Sequence, residues 1–248
     1  MYINTKGLVL RSVQYKDSGR ILTVLTSDLG KLTVSARGAM RKNSRVAAVV
    51  QPLAFSDMTL ARNKDRWTLT EAQSIELFSG LSEDLSLLSL GAYFAELLEA
   101  VTDEDSPNPE LLSLGLNALY LLCRGGRENI LVKASFEMRL MCLSGFAPSL
   151  DACASCGKTE LAAARLALYG GTLLCPDCSK PEDERTAPLC KASLPAMRHI
   201  CACGAKKLFS FTLSAAALGR LGAASEAYLL AQLDRRFQTL DYYKNIKD

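Results

Sequence analysis

The segment from Thr5 to Ala36 reads TKGLVLRSVQYKDSGRILTVLTSDLGKLTVSA. It contains three short runs rich in β-branched residues, at residues 5–13, 20–26 and 31–36, separated by the turn-forming sequences Asp17-Ser18-Gly19 and Asp28-Leu29-Gly30. Partial alternation of apolar and polar residues within each run indicates strands with one buried face. The segment therefore predicts three successive β-strands joined by tight turns.

Two further strands are predicted nearby, at residues 49–60 and 67–77, with a turn at residues 63–65. Pro52 argues against a central position for the start of the first of them, because proline cannot donate a ladder hydrogen bond. Five short strands within the first 80 residues are typical of a small barrel, and the five-stranded OB-fold is the leading candidate.

The hydrophobic period changes after Ser82, where apolar residues recur at helical spacing. The acidic run Asp103-Glu104-Asp105 ends the first helical stretch. Further helices are predicted at residues 111–123, 129–143, 189–201, 213–221 and 225–242. The helix at 129–143 has apolar residues nearly all round, which predicts a buried, central position.

Two cysteine pairs interrupt the helical region, Cys153-Ala-Ser-Cys156 and Cys175-Pro-Asp-Cys178, with 18 residues between them. Two C-x2-C pairs at this separation are typical of a four-thiolate zinc site, because each tight turn directs two thiols at one ion. Four protein ligands leave no open coordination position, so one structural Zn²⁺ is predicted and a metalloenzyme is the least favoured alternative.

The predicted fold class is therefore α+β, in three parts. An N-terminal five-stranded OB-fold barrel occupies residues 1–80, an all-helical domain occupies residues 81–146 and 186–248, and a zinc-ribbon-like insertion occupies residues 147–185.

Composition sets the compartment and excludes several classes. The chain has 248 residues, 49% of them hydrophobic and 22% charged, the balance of a soluble globular protein. No apolar run approaches the ~18 residues of a membrane span, and the first residues lack a secretory signal. We therefore expect a cytoplasmic protein, in which the nine cysteines serve metal or redox chemistry rather than disulfides.

Charge is distributed unevenly along the chain. The net charge is +3, but residues 1–80 hold twelve Lys and Arg against six Asp and Glu, so the remainder carries −3. The densest basic stretch runs from Lys31 to Arg45 and contains no acid. Such a stretch on a barrel can follow a phosphate backbone, although it is also what an ordinary solvated loop looks like. Tyr15 and Trp67 are possible base-stacking rings, with a place in the barrel core as the alternative.

Catalytic motifs are missing. The sequence has no phosphate-binding glycine loop, no G-x-S-x-G and no H-E-x-x-H, and His199 is its single histidine. We therefore predict a protein that is not an enzyme and has no catalytic residues.

Four segments together resemble the RecO family of bacterial DNA-repair and recombination mediators. Three of them lie in the predicted barrel, at residues 6–11, 25–31 and 36–42, and the fourth leads from Gly145 into the cysteines and ends at Gly157. The resemblance covers the chain in order, from the barrel through the helices and the cysteine insertion to the closing helices.

This resemblance implies a function in DNA repair and homologous recombination, in the RecFOR pathway, and so a nucleoid-associated protein. It implies binding of single- and double-stranded DNA and annealing of complementary strands. It also implies association with RecR and with the acidic C-terminal tail of single-stranded-DNA-binding protein (SSB), and loading of RecA onto SSB-coated strands.

The resemblance and the basic stretch together give the candidate site residues. The DNA-contact candidates are Lys31, Arg37, Arg41, Lys42 and Arg45, with Arg11, Lys16 and Arg20 as secondary ones. Lys133 and Arg139 are the candidates for the SSB tail, with ordinary solvated helix residues as the alternative.

Two other functions remain open on the sequence. One is a zinc-ribbon transcription or regulatory factor whose barrel binds protein, and the other is an RNA-binding OB-fold protein. Strand annealing separates the first of these from a recombination mediator, and competition between RNA and DNA separates the second.

Overall fold

The structure, a computed structural model, describes residues 1–64, 66–180, 183 and 185–247. The first five strands are β1 (Tyr2–Tyr15), β2 (Gly19–Thr26), β3 (Gly30–Ala36), β4 (Phe55–Asn63) and β5 (Arg66–Glu76), and the later ones are β6 (Ser149–Cys153), β7 (Ala164–Ala167), β8 (Thr172–Leu174) and β9 (Thr186–Leu189). The helices are α1 (Leu85–Val101), α2 (Pro109–Arg124), α3 (Asn129–Leu143), α4 (Ser193–Ala202), α5 (Ala215–Leu233) and α6 (Gln238–Lys247).

The first five strands close into a barrel in the order β1-β2-β3-β5-β4. All pairings are antiparallel except that of β3 with β5, where Val34 pairs with Trp67. The inward-facing side chains of alternate positions, such as Val9, Leu22 and Met58, are completely buried. The predicted α+β fold with an N-terminal OB-fold barrel is confirmed.

The fourth strand begins later than predicted. Residues 46–53 form turns rather than a strand, and Leu53 has a left-handed backbone (φ 69°). Pro52 lies in this turn region, where its missing N–H costs no ladder hydrogen bond.

Gly30 in the β2–β3 turn permits a close approach of two backbones. Its φ is +71°, and a Cβ there would lie 2.6 Å from the backbone of Ser106. The Lys31 N–H donates to the Asp103 carbonyl at 3.3 Å, so the segment after α1 runs along the start of β3.

The internal contacts of the chain divide it into two compact units. One comprises Met1–Arg124 and Phe237–Asp248, and the other comprises Gly125–Arg236. The first unit contains the barrel, α1, α2 and α6, and Tyr93 and Phe237 stack edge to face in its helical part, 6.0 Å apart. The second contains α3, α4, α5 and the sheet of order β6-β8-β7-β9. The predicted domain limits place all six helices in one domain, whereas these units divide them. The predicted limits stay a prediction.

The closing helices also differ from their prediction. In place of helices at 213–221 and 225–242, α5 runs unbroken to Leu233, and α6 follows after a turn. Gly222 lies inside α5, where it makes room for Ile130 of α3, which would lie 3.0 Å from a Cβ at that position. The break comes at Asp234, which has a left-handed backbone (φ 45°).

The helix predicted at 189–201 begins only at Ser193, because Leu189 ends β9 and residues 190–192 connect the strand to the helix. Of the helices in the described part of the chain, none combines the length and apolar character that a membrane crossing needs.

Candidate functional site

A cleft of about 1540 Å³ opens on one end of the barrel. It lies between the β1–β2 turn, the end of β3 with its following loop, and the β4–β5 hairpin. Five exposed cations from these three segments line it: Lys16, Arg37, Arg41, Lys64 and Arg66. Asp17 is the single carboxylate among the described residues of the lining, so the cleft is strongly basic.

Local backbone geometry positions these cations. Lys16 and Lys64 occupy left-handed positions in the two hairpin turns, with φ of 55° and 54°. Gly38 also has a positive φ (66°), and a Cβ there would lie 3.3 Å from Arg41 Nε. The glycine therefore leaves room for the Arg41 side chain against the loop backbone, where the Arg41 N–H donates to the Gly38 carbonyl at 3.1 Å.

The two predicted base-stacking rings differ in accessibility. Tyr15 is 49% exposed at the edge of the cleft. Trp67 is only 8% exposed, and the Arg62 guanidinium lies 5.2 Å from its ring centroid. Tyr15 can therefore offer a ring face to a ligand, whereas Trp67 is mainly part of the barrel core.

The eight predicted DNA-contact residues fall into separate groups. Lys16, Arg37 and Arg41 line the cleft, and Lys42 and Arg45 are exposed on the loop that follows. Arg20 is half-buried, and its Nε donates to Ser12 Oγ at 2.6 Å.

Lys31 and Arg11 lie apart from the cleft and contact α1. Lys31 Nζ donates to the Glu99 carbonyl at 2.8 Å, and Arg11 Nη2 lies 2.9 Å from Glu99 Oε1. Because strands rise about 3.3 Å per residue, Lys31 is roughly 20 Å along β3 from Arg37. The densest basic stretch is therefore not one surface.

The cleft also contains two cations that sequence reasoning missed, Lys64 and Arg66. They flank the β4–β5 turn, which is distant in sequence from Arg37. The signal that would have found them is the OB-fold strand order itself, since the parallel pairing of β3 with β5 brings that turn to the end of β3.

The second candidate site is the cysteine cluster. The four thiol sulfurs of Cys153, Cys156, Cys175 and Cys178 all lie within 4.8 Å of one another. The sulfurs of Cys156 and Cys175 are 3.8 Å apart, and a tetrahedron with Zn–S bonds of about 2.3 Å has S···S edges of about 3.8 Å. The donor set and its spacing therefore fit a tetrahedral metal ion.

Tight turns bring these thiols together. Cys153 ends β6, and its carbonyl accepts from the Gly157 N–H at 2.9 Å, with Gly157 at φ +74°. In the second pair, the Cys178 N–H donates to the Cys175 carbonyl at 3.1 Å. Both C-x2-C segments therefore form the turns that the sequence predicts.

The pKa values of the thiols differ within the cysteine cluster. Backbone N–H groups, chiefly that of Cys175 and then that of Cys156, lower the pKa of Cys153 to about 6. A hydrogen bond from Ser155 lowers the pKa of Cys178, but its bonds with Cys175 and Cys156 outweigh this and raise the pKa to about 12. Neighbouring thiolates repel one another, so a bound cation is what would allow all four to ionise together.

Side chains of α4 and α5 hold the sheet that carries the cluster. Arg198 Nε donates to the Leu150 carbonyl at 2.8 Å, and Gln232 Nε2 donates to the Leu168 carbonyl at 2.6 Å. The Tyr228 hydroxyl donates to the Phe146 carbonyl at 3.0 Å. The segment that carries the cysteine cluster is thus anchored at three places to the helices of its own unit.

The two predicted partner-binding cations are both engaged within the second unit. Lys133 is buried, and its Nζ lies 2.7 Å from Glu137 and 2.8 Å from Glu226. Arg139 is half-buried, and its Nη1 donates to the Cys201 carbonyl at 3.0 Å. Their role in partner binding stays a prediction.

The buried group around Lys133 gives a stability prediction. Lys133→Ala would leave the carboxylates of Glu137 and Glu226 without this ammonium, so we expect a loss of about 3–5 kcal/mol in the free energy of unfolding. Denaturant unfolding measures this, with the exposed Lys191→Ala as the control. A loss no greater than that of the control would contradict a stabilising role for Lys133 between the two carboxylates.

The pH range of this stabilisation follows from the pKa of Lys133. Burial lowers that pKa, but Glu137 and Glu226 outweigh burial and raise it above the ordinary 10.5. A raised pKa stabilises the fold below the unfolded value, so the contribution is lost only as the pH rises through the folded pKa.

Comparison with known proteins covers nearly the whole chain. The family model described as Recombination protein O N terminal matches residues 1–78, and the one described as Recombination protein O C terminal matches residues 82–241. The DNA repair protein RecO of Acetivibrio thermocellus is 30% identical over 245 residues, which are 99% of this chain and 97% of that protein.

Other relatives agree with this match. The DNA repair protein RecO of Caldicellulosiruptor bescii is 30% identical over 99% of both chains, and that of Alkaliphilus metalliredigens is 36% identical over 72% of both. With an OB-fold barrel followed by helices and a four-cysteine cluster, this chain belongs to the RecO family of DNA repair proteins.

Proposed function

We propose that the chain is a DNA repair and recombination mediator that binds DNA strands along the barrel cleft. The observation that supports this most strongly is the convergence of five exposed cations from three segments on one cleft. At about 1540 Å³, the cleft exceeds the roughly 300–1,000 Å³ of small-molecule pockets. A polyanionic chain is the ligand that suits its size and charge.

Binding in this cleft is electrostatic and independent of base sequence. Each Lys or Arg that contacts a phosphate releases condensed counterions, which favours association at low salt. Lys42 and Arg45 would extend the basic track along the loop after β3. Arg20, Lys31 and Arg11 are weaker candidates, because each already has a partner within the barrel unit.

The exposed ring of Tyr15 favours single strands within this scheme. An unpaired base can stack on an aromatic ring, whereas the bases of a duplex are already stacked and paired. Double-stranded DNA would be held through its phosphates alone.

Annealing follows from the same charges. Two complementary strands repel each other, and neutralising their phosphates on a protein surface reduces that repulsion. No covalent step is required, so we infer that the protein is not an enzyme.

We further propose that the protein acts with RecR and with the acidic C-terminal tail of SSB, and so helps RecA to load onto SSB-coated strands. Of the two cations predicted for the tail, Arg139 is the stronger candidate. It is only half-buried, whereas Lys133 is buried between two carboxylates. We place the activity in the cytoplasm, at the nucleoid.

The metal is proposed to be one Zn²⁺ held by Cys153, Cys156, Cys175 and Cys178. When bound, it supplies a cross-link between the two C-x2-C turns and offers no open position for a reaction. Its role is to stabilise the sheet on which the helices of the second unit pack.

Strand annealing tests the proposal against its alternatives. Two complementary fluorescent oligonucleotides, free or coated with SSB, should pair faster with this protein present, and RecR should assist on the coated strands. Absence of acceleration would favour a protein-binding regulatory factor. If competitor RNA inhibits annealing more strongly than competitor DNA of the same sequence, the result would favour an RNA-binding protein.

A further inference from the structure

Two of the five cleft cations occupy a backbone conformation that lysine disfavours. In the described part of the chain, six residues other than glycine have a positive φ. An L-residue in this conformation brings its Cβ close to the following carbonyl oxygen, whereas glycine has no Cβ to do so. Such residues persist only where something in the structure or the function compensates for the strain.

Four of the six are explained by the fold itself. Leu53 and Phe78 are 5% and 3% exposed, so core packing holds their side chains in place. Asp105 and Asp234 belong to a residue type that tolerates the left-handed conformation, because its short polar side chain can bond the nearby backbone.

Lys16 and Lys64 have neither explanation. Both side chains are exposed, and lysine has no short polar group that could bond the nearby backbone. None of the ion pairs between described residues includes either ammonium group. The feature that the two lysines share is the cleft, because each occupies one of the two hairpin turns that border it.

The second of these turns would suit a different residue better. Asn63 pairs with Arg66, so two residues connect β4 to β5. A two-residue hairpin turn with a positive φ at its first position prefers asparagine, aspartate or glycine there. Lysine at this position is therefore not required by the turn.

The surroundings of the two lysines suit a phosphate chain. Lys16 Nζ lies 5.4 Å from the centroid of the Tyr15 ring, so a cation accompanies the exposed ring at the edge of the cleft. Lys64 is held through its backbone, since its carbonyl accepts from Arg62 Nε at 3.2 Å, and its side chain lines the cleft.

We propose that Lys16 and Lys64 occupy these strained positions because they bind the DNA strand, and that they lower the stability of the fold by doing so. The inference rests on the proposed function, because it takes phosphate as the ligand of both ammonium groups. Asparagine at both positions should give a protein that is more stable and binds single strands less tightly.

Two double variants separate backbone strain from charge. Lys16→Asn with Lys64→Asn removes both charges and supplies a residue that tolerates the left-handed conformation. Lys16→Gln with Lys64→Gln removes the same charges but keeps a longer side chain without that tolerance. Both variants and wild type are compared as full chains with Zn²⁺ present, by thermal unfolding and by fluorescence anisotropy of a labelled single strand.

The Asn variant should melt about 2–4 °C above both wild type and the Gln variant. Both variants should bind the strand about 20-fold more weakly than wild type. An Asn variant that melts no higher than wild type would overturn the proposal, since the two backbones would then not be strained. A Gln variant that melts as high as the Asn variant would also overturn it, because repulsion between cations would then explain the lower stability of wild type.

The binding results distinguish this inference from the proposed function. If wild type binds the strand and both variants bind it equally well, the lysines do not serve binding, and the inference fails while the proposed function stands. If wild type binds no strand, the proposed function fails and the inference fails with it.

Discussion

Replacing Arg37, Arg41 and Arg66 together by alanine is expected to weaken single-strand binding about 100-fold, or about 2.7 kcal/mol. The three side chains come from the end of β3, the following loop and the β4–β5 hairpin, and all line the same cleft. Loss of each side chain removes roughly 1 kcal/mol of binding free energy from its phosphate contact. The amount is modest because exposed charges interact through water. The measurement is fluorescence anisotropy of a labelled strand at one fixed, moderate salt concentration.

The matched control is Arg11→Ala with Lys31→Ala, which removes two cations of the same barrel that contact Glu99 instead of the cleft. The affinity of this double variant for the single strand should fall severalfold at most. Circular dichroism must show that both variants keep the fold. Equal losses in the two variants would mean that overall positive charge, and not the cleft, holds the strand.

Cys153→Ser and Cys175→Ser should each abolish stoichiometric metal binding and lower the melting temperature by about 10 °C or more. Structural zinc sites contribute about 10–16 kcal/mol of apparent binding energy in small domains. A net loss of about 5 kcal/mol corresponds to roughly 10–20 °C for a chain of this size. Both sulfurs are buried within the cluster, and serine cannot replace them as ligand because its hydroxyl stays protonated where a thiol gives a thiolate.

Elemental analysis and thermal unfolding provide the two readouts. Cys123→Ser is the control, because this half-buried cysteine lies on α2, outside the cluster. Full metal content in either ligand variant would refute the four-thiolate site. Loss of metal without loss of stability would show that the ion has no structural role.

Local patterns in the sequence were sufficient for much of the fold. Alternating β-branched runs with Asp-x-Gly turns predict the first three strands within three residues at each end. The C-x2-C pairs predict their own turns, because the ligand spacing constrains the backbone there. Helix α3, which has apolar residues nearly all round, is buried as predicted.

Tertiary contacts decided the features that the sequence did not reveal. The sequence predicts separate helices at 213–221 and 225–242, yet α5 continues through Gly222, which packs against Ile130 of α3. The basic stretch from Lys31 to Arg45 looks continuous, yet strand β3 separates its two ends. Lys64 and Arg66 join the cleft only through the closure of the barrel, which no local pattern encodes.

Salt dependence of single-strand binding tests the central claim most directly. Anisotropy titrations across a range of salt concentrations give the slope of log affinity against log salt. If the five cleft cations each contact a phosphate, the wild-type slope should be about −3.5, and removing Arg37, Arg41 and Arg66 should reduce its magnitude by about 2. A flat wild-type slope, or a slope unchanged in the variant, would contradict binding of the strand by the cleft.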